Sequence, residues 1–183
     1  MIEIRFANSE MDLNGIASLS NTYNKAKVTI ENRQSEGFVS WPYSLELLRA
    51  LHQYHPSVVA IDANQVVGYA LVGLVETVAV NKELRKVLGV IDTIVYQEKP
   101  IGTYSYYTLG QICITSAYRK KGLFRKMYAL HKQTFASDFD FVVTMVSKEN
   151  QRSLNAHLAV GFQCVHSFHD AYGEWMVILW DWS

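Results

Sequence analysis

The sequence predicts one α/β domain over residues 1–183, with a mixed, largely antiparallel sheet and helices on both faces. Three observations predict it. Apolar runs joined by polar turns form antiparallel hairpins in both halves of the chain, 58–61 with 66–75 and 163–168 with 175–182. Between these hairpins, residues 109–160 read strand, helix, strand, helix, which is the order of a parallel crossover. With 183 residues, 49% of them hydrophobic and 19% charged, the chain suits one substantial core, and no linker, repeat or low-complexity tract divides it.

Each element follows from local pattern. Ile2, Ile4 and Phe6 alternate with Glu3 and Arg5, which predicts a first strand. Asn8 or Ser9 can cap a helix whose apolar side carries Met11, Leu13, Ile16 and Leu19. Residues 20–42 are polar and end in an aromatic cluster, Phe38, Trp41 and Tyr43. Ser44 can cap a second helix bearing Leu45, Leu47, Leu48 and Leu51, stopped by Pro56. Residues 62–65 are the turn of the first hairpin. Asn81 opens a short amphipathic segment with Leu84, Val87 and Leu88, and residues 90–96 read as a further strand. Residues 122–135 have the helical period, with Leu123, Met127, Leu130 and Thr134 on one side. A strand over 141–146 and a helix over 150–160 follow, the latter closed by Gly161.

Composition excludes several classes. Formal net charge is zero, which argues against a general nucleic-acid binder. No apolar run approaches the roughly 20 residues of a membrane span, and residues 1–6 lack the layout of a secretion signal. Cys113 and Cys164 lie in apolar strand-like runs without Cys-x-x-Cys spacing, so buried free thiols and a cytoplasmic setting are expected.

The chemistry is concentrated after the strand at 109–114. A polar turn leads through Arg119-Lys120-Lys121-Gly122 into a helix, and five of the 17 Lys and Arg residues fall within 119–126. The first N–H groups of a helix lack intrahelical partners and its dipole favours negative charge, so this basic, glycine-containing start is an anion site suited to a pyrophosphate. Further on, Asn150, Ser153 and His157 stand at i, i+3 and i+7, on one helical face, with Leu154 and Leu158 on the neighbouring apolar one.

With these residues the chain resembles the GNAT superfamily of N-acetyltransferases. The resemblance rests on Arg119 and Gly122 of the loop, on Asn150, and on Gly161-Phe162 at the family's spacing from that asparagine; by element order it spans nearly the whole chain. It implies that the fourth and fifth strands are parallel and splay around the pantetheine arm of acetyl-CoA. It implies an acetyl transfer to a primary amine of a small molecule or peptide. Ile112, Cys113 and Ile114 would offer main-chain groups to the pantetheine and the thioester carbonyl. Arg119, Lys120, Lys121, Gly122, Leu123, Phe124 and Arg125 would hold the pyrophosphate, with the bulky Phe124 side chain turned away from it. Asn150 and Ser153 would also bind the cofactor. His157 takes the place of the family's tyrosine, where it can protonate the leaving thiolate or pack. Phe38, Trp41, Tyr43 and Tyr106 are expected around the acceptor.

The family's glutamate base has no counterpart, since Thr108 holds roughly its place. Glu76 is the nearest acidic candidate, with a tyrosine of 104–107 or a water chain as alternatives. His52-x-x-His55 and His166-x-x-His169 have metal-compatible spacing but no evident third ligand, so no metal is expected. A non-catalytic acyl-CoA-binding domain is the rival reading. Oligomeric state is not encoded in any motif.

Overall fold

The computed structural model describes residues 1–182, the side chains of Gln34 and Ser35 excepted. Seven strands form one sheet: β1 (Glu3–Phe6), β2 (Val58–Asp62), β3 (Gln65–Gly73), β6 (Tyr106–Ile114), β7 (Phe141–Ser147), β8 (Gln163–Asp170) and β9 (Gly173–Asp181). Their order is β1-β2-β3-β6-β7-β9-β8. Among the described residues, β6 and β7 run parallel and every other neighbouring pair is antiparallel. A small hairpin, β4 (Val95–Tyr96) with β5 (Lys99–Pro100), stands apart from the sheet. The β2–β3 turn places Ala63 and Asn64 at φ 46° and 63°, the two left-handed residues that a tight hairpin requires.

One face of the sheet is covered by α5 (Leu123–Phe135), which buries Leu123, Met127, Tyr128 and Phe135 against Val58, Ala70, Val72 and Leu109. The other face carries two separate groups of helices. Helices α1 (Glu10–Thr22) and α3 (Leu45–His52), with the single turn α2 (Arg33–Glu36) between them in the chain, pack Leu13, Ile16, Leu48 and Leu51 on Val59, Tyr69 and Leu71. Helix α4 (Lys82–Ile91) packs Leu84, Leu88 and Ile91 on Phe141, Val143 and Val177. The space between these groups lies over the point where β6 and β7 part.

Start signals act as expected. The Ser9 hydroxyl accepts from the Asp12 N–H at 3.2 Å while the Asp12 carboxylate accepts from the Ser9 N–H at 3.2 Å, a reciprocal cap. Ser44 caps α3 in one direction, its hydroxyl accepting from the Leu47 N–H at 3.2 Å. Other expectations are corrected. Met11 points to solvent at 66% exposure. Residues 90 and 91 finish α4, because the i, i+4, i+7 set of Leu84, Leu88 and Ile91 continues through Gly89; only Val95–Tyr96 is strand. Strand β3 ends at Gly73, and Val75–Ala79 coil into a 3₁₀ turn in which the Thr77 hydroxyl donates to Leu74 O at 2.6 Å. On α5, His131 is fully buried while Leu130 and Thr134 are half-buried. Cys113 is buried but Cys164 is exposed on the edge strand β8.

Candidate active site

The cleft begins with a bulge. Leu109 faces Val72 and Ile112 faces Ala70, so Gly110 and Gln111 together oppose Leu71. Strand β6 pairs with β7 only over residues 106–108 and 141–143. A last link, the Thr144 hydroxyl to Leu109 O at 2.9 Å, follows before the strands part. The β7-facing edge of residues 110–114 is left open, and Ile112, Cys113 and Ile114 form one side of a groove.

The opposite side of that groove is the start of α5. Gly122 caps the helix at φ 77° with no side-chain cap, and a Cβ there would meet nothing within 4 Å. The first helical bond runs from the Lys126 N–H to Gly122 O at 3.1 Å, so the amides of Leu123, Phe124 and Arg125 have no helical acceptor. Arg119, Lys120, Gly122, Leu123, Phe124 and Arg125 all line the groove. Arg119 donates to Ile114 O at 3.0 Å and lies 5.2 Å over the Tyr23 ring. Arg125 donates to Ala159 O at 3.0 Å, tying α5 to α6 (Gln151–Leu158). Lys121 turns instead onto the Tyr118 ring, at 4.7 Å. Arg152 joins the groove, and burial followed by the nearby Arg119 charge holds its pKa down. Open space, unpartnered amides and crowded cations suit a polyanion such as the CoA pyrophosphate.

Helix α6 places Asn150, Ser153 and His157 together, with changed roles. The Asn150 Oδ1 accepts from the Ser153 N–H at 3.2 Å, and its Nδ2 donates to Phe38 O at 2.8 Å. The side chain expected to meet pantetheine therefore caps α6 and anchors the aromatic loop. His157 is 2% exposed, and its Nδ1 lies 2.7 Å from Ser153 O. A carbonyl only accepts, so the proton sits on Nδ1 and Nε2 is a bare acceptor, buried without a partner. Phe124, Tyr128 and Phe162 set their rings against it at 5.0 to 5.5 Å. Burial pushes its pKa down to about 4. Of the two expected roles this geometry suits packing better than acid catalysis, because the neutral ring commits its one N–H proton to Ser153 O, although His157 lines the neighbouring cavity. Phe124 sets its ring against His157 while still walling the groove.

Beyond the bulge the groove meets a second cavity, lying between the two helix groups. Phe38, Val39, Ile112, Asn150 and Ser153 line both and form the neck. Phe38, Trp41 and Tyr43 line this cavity. Gln111 is fixed there, its amide donating to Trp41 O at 3.0 Å and accepting from the Tyr69 hydroxyl. Burial raises the Tyr43 pKa, so its phenol stays protonated. Tyr106 is not part of the cavity lining; its hydroxyl donates to Asp92 Oδ1 at 2.6 Å and its ring stacks on Phe141. Glu76 is exposed on the 3₁₀ turn and lines neither cavity, whereas its neighbour Thr77 does. Tyr104 donates to Tyr96 O, and Tyr107 meets His131 on the α5 face of the sheet. Sequence reading missed Gln111, Arg152 and Trp175. The amphipathic pattern of α4 was visible, though not which of its residues face the cavity. Among the described residues, no group of three or more His, Cys, Asp and Glu could hold a metal, and no helix is long and apolar enough to cross a membrane.

No protein-family model and no curated protein matches the sequence. Solved structures do match along its whole length. The NatC complex bound to Gag peptide and CoA superposes with a TM-score of 0.67 at 14% identity, covering 100% of this chain and 99% of that one. A GNAT-family acetyltransferase from Streptococcus agalactiae gives 0.67 at 15% identity, covering 100% and 96%. A Salmonella typhimurium protein solved with acetyl-CoA as its cofactor gives 0.61 at 17% identity, covering 98% and 93%. With its mixed sheet, its one parallel pair parting beyond a bulge, and its uncapped helix start beside that gap, this chain has the GNAT acetyltransferase fold.

Proposed function

We propose that this chain transfers an acetyl group from acetyl-CoA to a primary amine of a small molecule or peptide. The observation that carries the reading is the continuous cleft, which runs from the basic start of α5 through the neck into a half-open cavity. Arg119, Lys120, Arg125, Arg152 and the first amides of α5 would hold the pyrophosphate by charge and hydrogen bonds. The open main chain of residues 112–114 would receive the pantetheine and polarise the thioester carbonyl. The amine nitrogen attacks the thioester carbonyl, the carbon–sulfur bond breaks, and the proton lost by nitrogen is balanced by the one the leaving thiolate takes up. Among the described residues, Glu83 is the one carboxylate lining the acceptor cavity, and it is exposed and held by Lys86 at 2.9 Å. The reaction therefore relies on holding an uncharged amine beside the thioester, with its proton leaving through water. A cytoplasmic setting suits the two free thiols.

The shortage of an internal base also favours a second reading, a domain that binds acyl-CoA without turnover. Two measurements separate them. CoA at 100 times its dissociation constant stabilises the protein by about 2.7 kcal/mol under either reading. Release of free thiol from acetyl-CoA in the presence of amines is expected only under the first. A melting temperature unmoved by millimolar CoA sinks both.

A further inference from the structure

The two halves of the cleft differ in what they can hold. The groove is cationic, whereas the acceptor cavity is walled mainly by apolar side chains, with neutral polar groups such as Thr77, Asn81, Gln111 and Thr144 among them. Leu51 of α3, Leu71 of β3, Leu84, Val87 and Ile91 of α4 and Met145 of β7 close around it. Trp41, 41% exposed, and the buried Trp175 lie 6.2 Å apart beside it. Among the described lining residues, no Lys or Arg occurs, and the single acidic side chain is Glu83. That carboxylate faces solvent and both its oxygens are held by Lys86, at 2.9 and 3.1 Å.

This lining discriminates between amines. A free amino acid would bring a carboxylate into a space with no cation to receive it. A polyamine would bring a second ammonium, with only an exposed and already paired carboxylate nearby. Either charge would lose hydration with only neutral polar groups, and no opposite charge, to replace it. An aliphatic or aromatic body, by contrast, gains from every methylene it removes from water. Resting on the transfer reading above, we infer that the acceptor is a primary amine borne on an apolar body with no charge beside it. It is either an alkyl- or arylalkylamine, or the N-terminal amine of a peptide whose first residue is apolar.

The test is thiol release from acetyl-CoA by the full chain with two matched sets of acceptors. The first set is isoamylamine, 2-phenylethylamine, leucine amide and a peptide beginning with leucine. The second is free leucine, spermidine and the same peptide beginning with aspartate. At least a tenfold higher kcat/KM is expected for the first set, since pockets of this kind discriminate about 10- to 200-fold per methylene. Preference for the small amines or for the leucine-first peptide identifies the source of the acceptor. Val87→Asp should lower kcat/KM for the apolar set at least tenfold and leave the thermal shift with CoA unchanged. If that variant does not fold, Met145→Gln, at a half-buried position of the same wall, is read in the same way. Equal or better use of spermidine or free leucine overturns the inference while leaving acetyl transfer standing. CoA binding without turnover of any acceptor overturns the transfer reading, and this inference with it.

Discussion

A Cβ added at Gly122 would stand in open space, with nothing beyond its chain neighbours within 4 Å. Its effect is therefore on backbone and ligand. The left-handed φ of 77° costs a β-branched residue about 1–2 kcal/mol, which lowers the melting temperature modestly. The added side chain also fills space that the pyrophosphate is proposed to enter, so CoA affinity should fall at least tenfold. Calorimetric titration beside a melting curve checks both, and unchanged affinity in the folded variant places the anion elsewhere. His157→Phe has the opposite expectation. The ring holds its one N–H proton on Ser153 O, and three aromatic neighbours accept another ring readily. Steady-state kinetics should give kcat within about fivefold of the parent, where loss of a positioned acid would cost about 10²- to 10⁴-fold. The sequence marked His157 and Asn150 correctly as one face of α6, but not what they touch. The carbonyls of Ser153 and Phe38 that engage them belong to main chain, which side-chain patterns do not report. Arg152 went unnoticed because a basic residue in a first helical turn reads as solvated until the groove opposite it is known.

At the scale of elements, α4 and the bulge set the acceptor cavity. Helix α4 supplies Leu84, Val87 and Ile91 to its wall and is joined to the sheet through the 3₁₀ turn at Val75–Ala79. Hydrogen exchange of residues 82–91 should slow when a turned-over acceptor is added to the CoA-bound protein. Protection that arises with CoA alone would make α4 a cofactor contact rather than an acceptor wall. The sequence revealed the helix but extended its apolar run into a strand, because Val90 and Ile91 fit both periods and Gly89 reads as a break. Glu76 misled for a related reason. It follows β3 closely in sequence, yet the 3₁₀ turn carries it to the surface and turns Thr77 inward. The bulge at Gly110 and Gln111 left no local mark, since it is a mismatch between two strands and is visible only once β3 and β6 are in register.

Across the whole molecule, the order of strands and helices was legible because hairpin turns, caps and apolar periods agree with one another. The distribution of helices over the sheet was not, and it decides where the cavity lies. Global stability carries a pH signature of its own. His131 and His157 are buried and neutral, with pKa values pushed down to about 3 and about 4 by burial, in His131 with help from His55. The unfolded chain takes up these protons near pH 6.5, before the native state does, so stability is complete above that pH and falls as pH drops towards 4. The two residues together remove about 4 kcal/mol between high pH and pH 5. Urea unfolding from pH 8 to 5 measures this, and His157→Phe should show a shallower decline.

The shared neck adds a thermodynamic consequence. Phe38, Val39, Ile112, Asn150 and Ser153 belong to both cavities, and the Asn150–Phe38 bond joins α6 to the loop that covers them. Two ligands meeting at one wall cannot bind independently if either shifts it. Whatever factor the cofactor imposes on the affinity of an amine, the amine must impose on the cofactor. Titrating CoA with and without a saturating apolar amine, and the reverse, should return one coupling factor from both directions, and replacing Asn150 with alanine should bring that factor towards one.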